Sequence, residues 1–400
     1  MMKGFKALFL ILLLAASPLS AQKPQLSLIT VSPGNAIYSA FGHTAFRYVD
    51  KENDIDILYN FGTFDFRDPD FVPKFVHGKL DYFLGVVKFK REFKNYTLLE
   101  NRSVVEQKLN LTPGEVARIY LFLSENALPE NRYYKYDFIK DNCSTRIQSV
   151  LDKTLGSDIF YDQSVISKIG EKSYRNYIRY HLKKSPWFDA GIQLALGMPL
   201  DQTVLPSDSF FLPALVQDII AGSTLSDGRP LVESTSVLYR STADPINDPL
   251  FDPLNDPIKI SPPLVLASLL LAAELLLIYL ACIKKKGWAK KALNCYEYTL
   301  VTLNFLFGIL IFYLWFISDH TATKGNLNIL WCSPLSLVFL VTFFLKGAQK
   351  LLRHFSLLMA VMGILFLLIL AIGLQSTCAA FIPVLALYIV LFGRRFFNLS

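Results

Sequence analysis

The chain has 400 residues, 52% of them hydrophobic, and a formal net charge of +7. Residues 22 to about 260 read as a water-soluble domain, whereas 264 to 393 are mostly apolar with short basic breaks. Most of the positive charge sits in those breaks, so it reports membrane topology and speaks against a nucleic-acid partner.

Met1–Lys6 is short and basic, and Ala7–Ala16 is an apolar run too short to span a bilayer. A small-residue stretch ending at Ala21 completes the pattern of a secretory signal over residues 1–21, which places 22–243 outside the cytoplasm. Cys143 is the only cysteine in the first 280 residues, although an oxidising compartment favours thiols that are paired or absent.

In chain order, Leu26–Val31 reads as a strand leading into the turn Ser32-Pro33-Gly34-Asn35. A second strand follows Gly42-His43, turns at Lys51–Asp54 and returns over Ile55–Phe61. A hairpin centred near Glu52 brings His43 across from residues around Asn60. Asn60 is then either the polar group that orients the imidazole or a satisfied structural asparagine. Further strand-like pieces occur at Tyr82–Val87 and Lys94–Leu99. Thr112-Pro113-Gly114-Glu115 has the pattern of a capped helix start, with the helix running to about Asn126.

The next helix opens at Asp141-Asn142-Cys143. Its apolar positions Ile147, Val150, Leu151 and Leu155 share one face, and Gly156 is a plausible stop. Cys143 falls in the first turn, where free N–H groups and the helix dipole stabilise a thiolate and part of an oxyanion hole. Polar neighbours on both sides argue against simple burial. His77 and His181 lie outside any motif and read as surface or packing histidines; Glu171–Leu182 reads as a helix.

An Asp-Pro pair recurs every four residues from Asp244 to Pro257, the pattern of a semi-rigid linker over 244–263. Apolar segments at 264–283, 297–317, 331–345, 355–374 and 377–393 suit five membrane spans. Lysines and arginines flank them so that the C-terminus faces the cytoplasm and the loop 318–330 faces outward, on the same side as Cys143. That loop is either a solvated turn or a contributor to substrate binding, with His320 and Asn326 the foremost candidates.

A cysteine at a helix start and a histidine on a strand suit thioester chemistry, with the imidazole as base. Papain-type enzymes place cysteine before histidine. Here the order is reversed, as in circularly permuted NlpC-like and lecithin:retinol acyltransferase-like folds, so the expected class is an α+β permuted papain-like domain followed by an all-α five-helix transmembrane domain. No metal or other cofactor is expected, since no histidine–carboxylate cluster has ligand spacing.

Tyr38–His43, Tyr59–Phe66, Glu130–Tyr133 and Asp137–Arg146 resemble the Lnb N-terminal periplasmic domain, and the spans with Asp319-His320 and Asn326-Leu327-Asn328 resemble that family's membrane half. The resemblance implies an inner-membrane N-acyltransferase that passes a fatty acyl group from phospholipid to the amine of a diacylglyceryl lipoprotein. Cys143 would be nucleophile, His43 base and Asn60 the third member, with Asn142 and Arg146 as substrate contacts. A membrane-anchored cell-wall peptidase or amidase, and a non-enzymatic envelope protein, are the alternatives. The peptidase would release muropeptides, and the non-enzymatic protein would tolerate loss of the thiol.

Overall fold

The structure, a computed structural model, describes residues 23–242 and 260–397. The signal 1–21 and all the Asp-Pro pairs lie outside the described residues.

The first half is built on an antiparallel sheet. In chain order it contains β1 (Gln25–Val31), β2 (His43–Asp50), β3 (Ile55–Thr63), α1 (Phe71–His77), β4 (Asp81–Lys88), β5 (Val104–Leu109), α2 (Pro113–Asn126), β6 (Tyr133–Lys135) and α3 (Cys143–Leu155). The helices α4 (Tyr174–Leu182), α5 (Pro186–Ala195) and α6 (Pro213–Gly222) follow, and β7 (Val232–Tyr239) closes the sheet, whose order is β6-β4-β3-β2-β1-β5-β7.

Period-two alternation sends Leu26, Leu28, Phe46, Tyr48, Tyr59 and Phe61 to one face, where α2, α3 and α6 cover them. Ile29, Val31, Ala45 and Leu58 point to the other face and meet Phe89, Tyr96 and Val104. This second layer corrects the expected strand at Lys94–Leu99, which is helical and continues a helix begun at Phe89. Phe89, Phe93, Tyr96 and Thr97 recur at helical spacing, and burying that stripe outweighs the local alternation.

α2 has the expected capping box, with Thr112 Oγ1 accepting from the Glu115 N–H and Pro113 in the first turn. α3 is capped by Asn142, ends at Gly156 and buries Ile147, Val150, Leu151 and Leu155. Its hydrophobic stripe holds it flat on the sheet.

Among the described residues, the second half has three helices long and apolar enough to cross a membrane: Pro262–Ile283, Gly287–Phe316 and Gln349–Ala371. The expected span at 331–345 is instead a pair of tight turns followed by the short helix Leu337–Thr342. Ser333-Pro334 interrupts it there, and Asn304 takes over its backbone by donating to Trp331 O and accepting from Ser333 N. The last apolar segment forms Phe381–Phe396, 16 residues long.

The outer loop is not a solvated turn. Asp319 N donates to His77 O at 2.8 Å, His320 Nε2 meets Phe75 O at 2.8 Å, and Gly197 N donates to Ala322 O at 3.0 Å. Tyr313, near the end of the second long helix, bonds His77 Nδ1 at 2.6 Å. A Cβ on Gly197 would stand 1.7 Å from Lys324 O, so only glycine permits this approach. Gly197→Ala is therefore expected to undock the loop, which a disulfide pair engineered across it or hydrogen exchange at 319–328 would register as faster opening.

Candidate functional site

The site forms where β2 and β3 part. Their pairing runs from Asp50↔Ile55 to Phe46↔Tyr59 and stops, and β3 is irregular between Asn60 and Thr63. Gly62 takes a φ of +86°, and a Cβ there would stand 3.7 Å from Cys143 Cβ and 3.9 Å from the Tyr134 hydroxyl. There is room for a side chain there; it is the left-handed backbone of Gly62, at the bulge where the start of α3 meets the sheet, that favours glycine.

Cys143 is half-buried at that start. Its sulfur lies 3.8 Å from Ser144 Oγ and receives the backbone N–H of Thr44. Desolvation pushes the thiol above its ordinary pKa, although hydrogen bonds from Ser144 and from the backbone oppose it. This corrects the expectation that the helix start would hold a thiolate. Asn142 Oδ1 already accepts from the N–H groups of Ser144 and Thr145, at 2.8 and 3.1 Å. The N–H groups of Thr44, Cys143 and Ser144 are all directed at the sulfur, that of Ser144 being shared with Asn142.

His43 opens β2, opposite Val31 of β1, on the face shared with Ala45 and Leu58. Its Nε2 is 3.0 Å from Asn60 Oδ1. An amide oxygen only accepts, so Nε2 carries the proton and Nδ1 of the neutral ring keeps its lone pair. Desolvation lowers the imidazole from its ordinary 6.5 to about 4, against the Asn60 hydrogen bond that raises it and with a smaller lowering by Arg102. The structure therefore brings His43 and Asn60 together directly, and sets Cys143 against the backbone of the next residue, Thr44. Among the described residues, no hydrogen bond joins the sulfur to the imidazole.

The expected substrate contacts divide. Asn142 is 2% exposed and also donates to Phe138 O and Phe211 O, so it builds the helix start and faces no substrate. Asn326 is fully buried, with its amide on Leu194 O and its oxygen on Asn328 N; it fastens the docked loop. Arg146 pairs with Asp141 and lies 4.1 Å from the Tyr134 ring centre, near the thiol. His320 is half-buried on its bond to Phe75 O, 245 residues away in sequence.

Residue patterns alone did not point to Thr44, Gly62, Tyr134 and Tyr136. The Tyr134 hydroxyl is buried and Tyr136 lies within electrostatic range of Cys143, both with pKa values raised first by desolvation. The signal for Gly62 was present, since a glycine directly after a strand marks a bulge or close approach.

His181 matches His43: it packs on Phe41, and desolvation lowers it to about 4. Both histidines take up protons only after the unfolded chain does. Their contribution to stability is complete above pH 6.5 and is lost as pH falls toward 4. The urea midpoint is expected to drop across that window, and the drop should shrink in a His43→Gln/His181→Leu double variant.

A sheet domain presenting a helix-start cysteine against the backbone of Thr44, the residue after a strand histidine, and hydrogen-bonded to helices of membrane-spanning length, defines a membrane protein with a thiol-bearing extramembrane domain. Residues 16–166 match the family model described as the Lnb N-terminal periplasmic domain, and residues 255–399 match that of the Lnb transmembrane domain. The chain belongs to the Lnb family, with a periplasmic domain ahead of its transmembrane domain. No curated protein and no solved structure matches it.

Proposed function

We propose that the protein is an inner-membrane N-acyltransferase that moves a fatty acyl group from phospholipid to diacylated lipoproteins through a Cys143 thioester. The observation that carries this reading is the docking of the periplasmic domain on the membrane domain. Hydrogen bonds such as Asp319 N to His77 O hold the cysteine-bearing sheet beside the outer loop. A lipid donor and a lipid-anchored acceptor both reside at that surface, so fixing the thiol there replaces a search through the volume by one along the bilayer.

In the first step the Cys143 sulfur attacks an ester carbonyl of the phospholipid, and His43 Nδ1 takes the thiol proton. The carbon–oxygen bond breaks, and that proton leaves on the hydroxyl of the lysophospholipid. The lipoprotein α-amine then attacks the thioester, the carbon–sulfur bond breaks, and the amine proton returns through His43 to sulfur. The Thr44 and Cys143 N–H groups stabilise the tetrahedral oxyanion. No sulfur–imidazole hydrogen bond joins the described residues, so this step requires the His43 ring to swing round the start of β2 to the sulfur when substrate binds. The order histidine before cysteine, with the cysteine helix on an antiparallel sheet, supports a permuted papain-like origin for the domain.

In this reading all five apolar segments cross the inner membrane, the third as a broken segment whose interrupted backbone is satisfied by Asn304 and not as a continuous helix. Lys284–Lys286 and Arg394-Arg395 then face the cytoplasm, together with the C-terminus.

The test is expression in cells depleted of their own lipoprotein N-acyltransferase, with lipoprotein N-termini read by mass spectrometry. Triacylated N-termini support the reading; diacylated N-termini alone reject it, and released muropeptides would indicate a peptidase. Asn60 acts as a positioning residue: Asn60→Ala is expected to lower kcat on the order of 10²-fold with little change in KM.

A further inference from the structure

Beneath the docked outer loop lies a cavity of about 280 Å³, walled by both halves of the protein. Phe41, Phe138, Ile178, Ile192 and Leu196 line it from the periplasmic domain, and Leu314 from the last turn of the second long helix. Part of its polar margin is already committed. Asp137 accepts from Thr321 Oγ1 and from the N–H groups of Ile139 and Lys140, and His320 holds Phe75 O. The wall nearest the site is a stacked pair, Tyr82 and Tyr136, with ring centres 4.4 Å apart. Tyr136 is also the side chain within electrostatic range of the Cys143 thiol.

We propose that this cavity is the binding site for one fatty acyl chain of a membrane lipid, its ester end passing Tyr136 toward Cys143. The inference rests on the transferase reading and names where the transferred chain lies. An acyl chain is the occupant because most of the lining is apolar side chain, with the Tyr82 and Tyr136 hydroxyls and the Asp319 carboxylate the few remaining polar groups, as ligand sites for apolar molecules combine them. Leu314 places one wall in the last turn of a membrane-length helix, whose Phe316 and following Ile317 are 58% and 49% exposed. A chain drawn from the bilayer stays in apolar surroundings from the lipid-facing helix to the cavity wall. The undocked loop would have no such pocket, so the glycine approach at Gly197 serves binding as well as assembly.

The experiment uses full-length Cys143→Ala protein in vesicles of phosphatidylglycerol and phosphatidylethanolamine that contain a phospholipid with a diazirine at its acyl terminus. Illumination is expected to label peptides containing Ile192–Leu196, Tyr136–Phe138 or Asp319–Thr323. Ala195→Trp, which fills the cavity, should abolish that label; Ala322→Leu should reduce it if the tryptophan variant does not fold. In protein with the cysteine intact, Ala322→Leu is also expected to shift lipoprotein N-acyl groups to shorter chains. Label confined to lipid-facing residues such as Phe312 and Phe316, unchanged in both variants, overturns the proposal. The cross-linking arm needs no turnover, so absence of acyl transfer alongside cavity labelling would defeat the transferase reading and leave the acyl site standing.

Discussion

Replacing Cys143 with alanine is expected to lower lipoprotein N-acylation by about 10⁴-fold or more, with an unfolding midpoint close to that of the parent. The sulfur is the atom that carries the acyl group, so no neighbour can replace it. It is half-buried, and its contacts are the Ser144 hydroxyl at 3.8 Å and nearby backbone N–H groups, so it contributes little to the apolar core. Serine should be almost as inactive. A hydroxyl is a much poorer nucleophile than a thiol when the base is a neutral imidazole lowered to about 4, which accepts protons weakly. Two measurements check this: mass spectrometry of lipoprotein N-termini, and the intact mass of the protein after incubation with phospholipid alone. The second should show one added acyl group, released by hydroxylamine, in the parent and none in either variant. Continued N-acylation by Cys143→Ala would end the thioester mechanism.

The local features of this site were legible because short-range patterns encode them. The cap at Asn142, the stop at Gly156 and the apolar face of α3 follow from spacing within one helix. The β2–β3 hairpin followed from alternation and a polar turn, and it carried His43 to Asn60. What stayed hidden depends on partners far away in the chain. Asn326 reads as a free polar loop residue until its amide meets Leu194 O, 132 residues distant. Asn142 likewise serves two carbonyls, one of them 69 residues away at Phe211. The state of the thiol was misjudged for a related reason. A helix start lowers a pKa by a local field, whereas desolvation depends on Tyr134, Tyr136 and the sheet closing around it, and here the second effect is larger.

Arg175→Leu is expected to destabilise the protein by about 3–5 kcal/mol, the scale for breaking a buried ion pair by removing one partner. Arg175 is fully buried in α4. It donates Nε and Nη2 to the two oxygens of Asp201, both at 2.9 Å, Nη1 to Gln193 at 2.7 Å, and Nη2 to Gly197 O at 2.8 Å. The guanidinium therefore fixes the backbone at the glycine on which the outer loop docks. Asp201 extends the network into the membrane half, accepting from the N–H of Ser376 at 2.9 Å and from its hydroxyl. Leucine would leave the Asp201 carboxylate and the Gln193 oxygen desolvated without their main donor, and Arg175→Lys would restore charge without the planar fork. Losing this network should also open the acyl cavity, since Leu196 and Ala322 line it on either side of the Gly197 contact. Denaturant unfolding in detergent measures the first effect, and hydrogen exchange over 319–328 the second. An Arg175→Leu/Asp201→Leu pair removes both charges, so it should cost less than the two single changes added together. Additive losses would mean that the two side chains stabilise the domain interface independently of each other.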